Sequence, residues 1–168
     1  MNTDGLPHSG DPPDRVRVGV AEFGVATGET RLTTSGLGSC VGVALADPDA
    51  DVAGLAHAML PSGDDDRARP AKSVPQGVER LLAAVESAGA DPDRIEAKIA
   101  GGSRMLDFSG VGEGVGDRNV AAARETLAEC GVPVVAEDVG GSHGRSLSVC
   151  PRTWTLTVTS AHDGEVEL

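Results

Sequence analysis

Residues 33–61 read TTSGLGSCVGVALADPDADVAGLAHAMLP, and the predicted fold is built around this stretch. Two apolar runs, at 41–46 and 52–60, flank an Asp-Pro-Asp segment, and both residue types favour turn positions. Apolar runs of this length on either side of a turn predict a β-hairpin. Cys40 enters the first strand of this hairpin, and His57 lies within the second.

The rest of the chain mixes strand and helix patterns. Valines at every second position after Arg15 indicate a strand, and a turn is predicted at 26–29. One amphipathic helix is predicted to end near Gly89, and Asp117 is the predicted N-cap of a second, after a glycine-rich loop at 109–116. Further strands are predicted at 30–34, 95–100, 134–139, 146–149 and 154–159; the buried helix faces are Val78, Leu81, Leu82 and Val85, then Val120, Ala123, Leu127 and Cys130.

These elements predict an α+β fold, a layered sandwich in which two main helices pack against a mostly antiparallel sheet. With 168 residues the chain is most simply one domain, at 15–160. The Pro- and Asp-rich segment at 1–14 is predicted to be a disordered N-terminal tail, and 161–168 a C-terminal tail.

Composition narrows the function classes. A net charge of -12 argues against a nucleic-acid partner, because phosphate binding needs clustered Lys and Arg. The acidic, aromatic-poor composition indicates a protein solvated at high salt, although ordinary cytoplasmic proteins also carry acidic surfaces. Neither a secretory signal nor a membrane span is recognisable, and three cysteines without regular spacing do not indicate a disulfide framework. We therefore expect a cytoplasmic protein with free thiols and no membrane insertion.

Cys40 and His57 are the candidates for chemistry. Most free cysteines are small buried hydrophobes, and a lone histidine on an apolar strand is usually a satisfied core residue. Gly36 and Gly38 favour another interpretation, since they let the backbone turn sharply before Cys40 and aim N–H groups at one point. A thiolate nucleophile needs a base and oxyanion donors, and His57 on the partner strand could be that base.

Other polar residues fit chemistry less well. Gly101 and Gly102 either cradle a substrate backbone or let a strand turn. A metal site lacks the closely paired ligands of typical zinc sites, so no metal is expected. The conceivable metal ligands are Cys40, His57, His143 and Cys150. Cys130 is expected to be a core residue, and His8 and His162 are expected to lie in the tails.

Five segments carry a family resemblance: GLGSCVGVAL at 36–45, GLAHAMLP at 54–61, KIAGGSRML at 98–106, GDRN at 116–119, and AEDVGG at 136–141 with Arg145 after it. In this order they resemble the chemoreceptor glutamine deamidase family, CheD, from about residue 16 to 160. The sequence PAKSVPQGV at 70–78 departs from the family, which commonly has an aromatic residue there. This departure concerns the substrate-facing loop, and Pro75 is tolerable only in a first helical turn.

The resemblance implies specific roles. Cys40 would be the nucleophile, His57 the base, and Thr34, six residues before the cysteine, the group that orients His57. Gly38, Ser39, Gly101 and Gly102 are the candidates for oxyanion or substrate contacts. Polarisation by His57 would lower the pKa of Cys40 below the roughly 8.5 of a free thiol.

The implied activity is conversion of glutamines to glutamate in the cytoplasmic domain of methyl-accepting chemotaxis receptors, through a thioester and without a cofactor. It would serve chemotaxis adaptation. Two alternatives remain. The protein could be mainly a binding partner of a CheC-type phosphatase, or a receptor methylesterase that uses the same two residues.

Overall fold

The computed structural model describes residues 14–104, 114–161 and 164–168. The predicted N-terminal tail up to residue 13, His8, His162 and most of the predicted glycine-rich loop at 109–116 lie outside the described residues. Among the described residues, neither helix is both long and apolar enough to cross a bilayer.

The described chain forms strands and helices in the following order. They are β1 (Arg15–Arg17), β2 (Phe23–Thr27), β3 (Arg31–Leu37), β4 (Val41–Asp47), β5 (Val52–Ala58), α1 (Val74–Ser87), β6 (Glu96–Gly101), α2 (Val115–Glu129), β7 (Val134–Val139), β8 (Arg145–Cys150), β9 (Thr155–Ser160) and β10 (Gly164–Glu167). A short 3₁₀ turn, Pro92–Arg94, precedes β6.

The strands divide between two five-stranded sheets. The outer sheet has the order β1-β3-β8-β9-β10, and the central sheet has the order β2-β5-β4-β6-β7. Neighbouring strands are antiparallel, apart from the parallel pairs β1–β3 and β6–β7. The α+β class is therefore confirmed, with two sheets where the sequence indicated one.

The hairpin formed by β4 and β5 lies at the middle of the three layers. Every residue of both strands is buried, because the outer sheet covers one face and the two helices cover the other. In β4, Val41, Val43 and Leu45 pack with the helices, whereas Ala44 and Ala46 pack with the outer sheet. Burial on both faces explains why these strands read as continuous apolar runs without polar alternation.

Both helices lie on the central sheet as their periodicity predicts. Val78, Leu81 and Val85 of α1 are buried, and so are Val120, Ala123 and Leu127 of α2. Leu82 and Cys130 are partly buried against the same core. Pro75 lies in the first turn of α1, where a missing N–H group does not weaken the helix.

The second helix begins earlier than predicted. Its N-cap is Gly114, not Asp117, and Asp117 lies in the first turn. Starting at Val115 brings Gly116 against the backbone of Gly102 and Ser103, where a Cβ atom would have no room. Asp117 still favours this helix end, since its carboxylate lies near the positive end of the helix dipole and pairs with Arg104.

Three strand predictions also differ. The predicted turn at 26–29 begins later, because β2 occupies 23–27 and pairs with β5. The strand from Arg15 ends at Arg17, since Ala21 adopts a φ of 66° and turns the chain into β2. The segment predicted to be a C-terminal tail contains β10, which pairs with β9 along four residues.

Candidate active site

His57 lies in β5 and faces the outer sheet. Its cross-strand partner in β4 is Gly42, which has no side chain to occupy the space beside the imidazole. A Cβ atom at position 42 would collide with Leu147 of the outer sheet. His57 is completely buried, so the position of its ring is set by packing between the two sheets.

Thr34 fixes which nitrogen of His57 carries the proton. Its hydroxyl donates its only hydrogen to the carbonyl oxygen of Val18, at 2.7 Å. The same oxygen lies 2.8 Å from Nδ1 of His57, so it must accept from an Nδ1–H group. His57 is therefore the Nδ1–H tautomer, and Nε2 carries a free lone pair.

The segment that carries Cys40 is held through three consecutive carbonyl groups. The Gly38 carbonyl accepts from the Ser103 amide at 2.9 Å, and the Cys40 carbonyl accepts from the Gly102 amide at 2.8 Å. Between them, the Ser39 carbonyl accepts from the side-chain amide of Asn119, at 2.8 Å. Strand β6 and helix α2 thus hold the nucleophile candidate from one side.

Cys40 and His57 belong to one face of the central sheet. Cys40 precedes Gly42 by two residues and packs with the core between the sheets, as expected for a side chain on the same face as His57. The register makes the two residues diagonal neighbours, about 7–8 Å apart between Cα atoms. Nε2 of His57 has no hydrogen-bond partner among the described residues, so no bond to the sulfur is formed.

Burial disfavours the charged forms of the Cys40 thiol and the His57 imidazole. It raises the pKa of the Cys40 thiol, and a hydrogen bond from the residue's own amide offsets this only in part. Burial also lowers the pKa of His57. Both directions oppose the expectation of a depressed Cys40 pKa and favour a resting pair of thiol and neutral imidazole over a thiolate–imidazolium ion pair.

Buried polar atoms without partners gather around this segment. Among the described residues, five such side-chain atoms occur, and they belong to only four residues. Each of the four is held next to residues 37–42 by a hydrogen bond or a strand pairing. An unpartnered buried polar group costs about 1–3 kcal/mol, so such a concentration makes this segment the strongest candidate for a functional site among the described residues. The atoms are Nε2 of His57, Oγ of Ser103, Oδ1 of Asn119, and Nε and Nη1 of Arg145.

The glycines singled out in the sequence mainly shape this backbone. Gly101 has a φ of 107°, and a Cβ atom there would lie 2.6 Å from the Cys40 carbonyl oxygen. Gly102 has a φ of 66° and donates its N–H group to that same oxygen. These contacts favour the interpretation in which Gly101 and Gly102 let the strand turn. Gly38 and Ser39 lie in the segment that faces this turn.

Three residues at this site were not assigned a role from sequence. Ser103 and Asn119 lie within the segments KIAGGSRML and GDRN, and Arg145 follows AEDVGG. The sequence pattern does not predict a chemical role for these three residues. Asn119 was detectable in principle, because it is a polar residue on the apolar face of α2. Arg145 is buried and forms an ion pair with Asp138 at 3.2 Å.

The remaining candidates lie elsewhere or do not cluster. Cys130 is the C-cap residue of α2, Cys150 ends β8, and His143 lies in the turn between β7 and β8. No group of three or more metal-ligating side chains occurs in the described part of the chain. A cavity of about 430 Å³ borders Thr33, Thr34 and Ser35, but neither Cys40 nor His57 lines it.

Comparison with known proteins shows the family of this chain. The family model described as "CheD chemotactic sensory transduction" matches residues 59–160, more than half of the chain. The chain belongs to the CheD family. The model match begins two residues after His57, but similarity to individual CheD proteins extends over Thr34, Cys40 and His57 as well.

Three relatives illustrate the similarity. "Probable chemoreceptor glutamine deamidase CheD" of Haloarcula marismortui is 50% identical over 157 residues, 93% of this chain and 91% of the relative. The protein of the same name from Natronomonas pharaonis is 43% identical, covering 95% of this chain and 96% of its own. "Chemoreceptor glutamine deamidase CheD" of Halalkalibacterium halodurans is 41% identical, with 92% and 99% coverage. A solved protein of Neisseria meningitidis is 15% identical with a TM-score of 0.45, covering 77% of this chain and 63% of that one.

Proposed function

We propose that this protein is a chemoreceptor glutamine deamidase in which Cys40 is the nucleophile, His57 the general base and Thr34 the residue that orients His57. One observation carries the assignment of roles. The hydroxyl of Thr34 occupies Nδ1 of His57 and leaves the lone pair of Nε2 on the face that Cys40 shares. The names of the relatives supply the substrate class, which is a glutamine of a chemotaxis receptor.

The reaction follows from these protonation states. Nε2 takes the thiol proton as the sulfur attacks the side-chain amide carbon, and the amide oxygen becomes an oxyanion. We assign the N–H groups of Ser39 and Cys40 as oxyanion donors. The imidazolium then protonates the leaving nitrogen, ammonia departs, and a thioester remains. Water, deprotonated by Nε2, hydrolyses the thioester to glutamate and restores the thiol.

The same assignment gives the protein its place in chemotaxis. Replacing glutamine with glutamate creates a carboxylate that can be methylated, and it changes the charge of the receptor's cytoplasmic domain. We therefore place the reaction in the cytoplasm, as a step of adaptation. A complex with a CheC-type phosphatase is compatible with this proposal.

Incubation with a receptor cytoplasmic domain, followed by peptide mass mapping, tests the function. We expect amide-to-acid conversion at specific glutamines with the wild-type protein and at least about 10³-fold slower conversion with Cys40→Ala. Cys130→Ala is the matched control, because Cys130 ends a helix away from the site. Substantial deamidation by well-folded Cys40→Ala would refute the nucleophile. Binding of a receptor or CheC-type partner without any conversion by the wild type would instead establish the binding-partner alternative.

A further inference from the structure

Asn119 connects the helix layer to the segment that leads into β4 and to the segment that follows β5. It lies in α2 and is completely buried. Its side-chain nitrogen donates to the carbonyl of Ser39 at 2.8 Å and to the carbonyl of Met59 at 2.9 Å. Ser39 is joined directly to Cys40, and Met59 follows His57 by two residues.

These two bonds determine the orientation of the Asn119 amide. Both hydrogens of Nδ2 are used by carbonyl oxygens, and a flipped amide would point Oδ1 at those same oxygens. Oδ1 is therefore the free end of the group. Since it shares a carbon atom with Nδ2, it is held beside the peptide that joins Ser39 to Cys40. It is buried and has no hydrogen-bond partner among the described residues.

The free end of Asn119 complements a primary amide. Oδ1 of Asn119 and Nε2 of His57 are both buried acceptors without partners. The carboxamide of glutamine brings two N–H donors, whereas the carboxylate of glutamate and a methyl ester bring none. A buried acceptor left unpaired strongly disfavours a ligand without the matching donor.

We propose that Oδ1 of Asn119 accepts a hydrogen bond from the amide nitrogen of the substrate glutamine, and thereby makes the site select amides over esters and over the glutamate product. This inference rests on the proposed function. Such a bond would hold the leaving nitrogen beside the peptide that joins Ser39 to Cys40, within reach of the N–H groups that we assign as oxyanion donors. Glutamate would leave readily, because its carboxylate faces an acceptor.

Asn119→Ala, tested on two substrates, separates recognition from simple positioning. The substrates are a receptor cytoplasmic domain with glutamine at the converted positions and the same domain with γ-methyl glutamate there. Loss of the bonds to Ser39 and Met59 slows both reactions, but loss of Oδ1 slows only the amide reaction. We expect the amide-to-ester ratio of kcat/KM to fall by about tenfold or more. A ratio within threefold of wild type would show that Asn119 only positions the strands, and would overturn the proposal.

Thr126→Val is the matched control, since Thr126 is another buried polar residue of α2 outside the site. It should leave the ratio unchanged, and a similar fall with this variant would attribute the effect to general disturbance of the helix. The rate of Cys40 alkylation by iodoacetamide checks that Asn119→Ala retains the nucleophile's surroundings.

A binding measurement needs neither turnover nor a folded Asn119 variant. Cys40→Ala should bind the glutamine form of the receptor domain at least about tenfold more tightly than the glutamate form. Equal affinity would refute the role of Oδ1. If the wild type converts neither substrate, the proposed function fails, and the binding preference still decides whether the site recognises an amide.

Discussion

The hydroxyl of Thr34 and Nδ1 of His57 lie 2.8 Å apart, and the hydrogen bond between them joins the outer sheet to the central sheet. The tautomer of His57 therefore depends on how the two sheets pack. A shift of β3 relative to β5 that broke this bond would release Nδ1 and allow the proton to move to Nε2, which would remove the lone pair that the proposed mechanism uses. The chemistry of the site is thus linked to the packing of the fold.

Thr34→Val should separate the hydroxyl from the bulk of the side chain. Valine keeps the shape but leaves Nδ1 of His57 and the carbonyl of Val18 without a partner. We expect kcat for deamidation to fall at least about tenfold, since the wrong tautomer becomes accessible, and stability to fall by about 1–3 kcal/mol. Steady-state kinetics and urea unfolding measure the two effects. Thr34→Ser, which keeps the hydroxyl, should retain most activity; equal losses in both variants would contradict the role of the hydroxyl.

The pH dependence of kcat/KM should reflect a neutral Cys40 thiol beside a neutral His57 imidazole. Burial lowers the pKa of His57, so the neutral base persists below the ordinary histidine value of about 6.5. Burial raises the pKa of Cys40, so direct thiolate formation belongs to alkaline pH. We expect a plateau through neutral pH and an acid limb below about 6.5. The rate of iodoacetamide labelling of Cys40, followed by mass spectrometry, should keep rising with pH beyond about 8.5, where the rate for a free thiol begins to level off. Rapid labelling at pH 6 would indicate an ion pair instead.

Asp47 should contribute to stability through its contacts with Arg94. The carboxylate is fully buried and accepts from Nε of Arg94 at 3.0 Å and from Nη2 at 2.8 Å. Asp47→Asn removes the charge, and we expect a loss of about 2–3 kcal/mol, moderated because Arg94 is partly exposed. Urea unfolding measures the loss. Arg94→Lys should cost less, since it keeps the positive charge.

The pair of Asp47 and Arg94 should also make the stability of the protein depend on pH. Hydrogen bonds from Arg94 hold the pKa of Asp47 below its ordinary value, despite the opposing effect of burial. Its stabilisation is therefore complete above about pH 4 and is lost as pH falls through the lowered pKa. The difference in free energy of unfolding between the wild type and Asp47→Asn should become smaller under strongly acidic conditions. A constant difference down to pH 2 would show that protonation of Asp47 is not involved.

Added salt should accelerate deamidation. The protein carries a net charge of -12, and we expect the receptor domain to be acidic as well, so that their encounter is repulsive when screening is weak. The screening length falls from about 10 Å at 0.1 M to about 3 Å at 1 M. We expect the rate on the receptor domain to rise over this range, whereas the rate on an uncharged glutamine peptide should change little. A rate that falls steadily with salt would contradict the electrostatic explanation.

The hairpin and its two candidate catalytic residues could be predicted from the sequence alone. Apolar runs on both sides of Asp47-Pro48-Asp49 predicted β4 and β5, and helical periodicity predicted the inner faces of α1 and α2. These features depend on local turn chemistry and on residue spacing, which are readable along the chain. The motifs also indicated the CheD family, which the comparisons confirmed.

The hydrogen bonds and the burial of the candidate site could not be predicted from the sequence. The tautomer of His57 depends on Thr34 and Val18, which lie 23 and 39 residues away along the chain and belong to or adjoin the outer sheet. Neutral Cys40 and His57 follow from burial between two sheets, where the sequence indicated one. Asn119 reaches Ser39 across 80 residues of sequence. Hydrogen bonds between distant segments, and the desolvation that accompanies them, arise only when the layers pack, so no local pattern could reveal them.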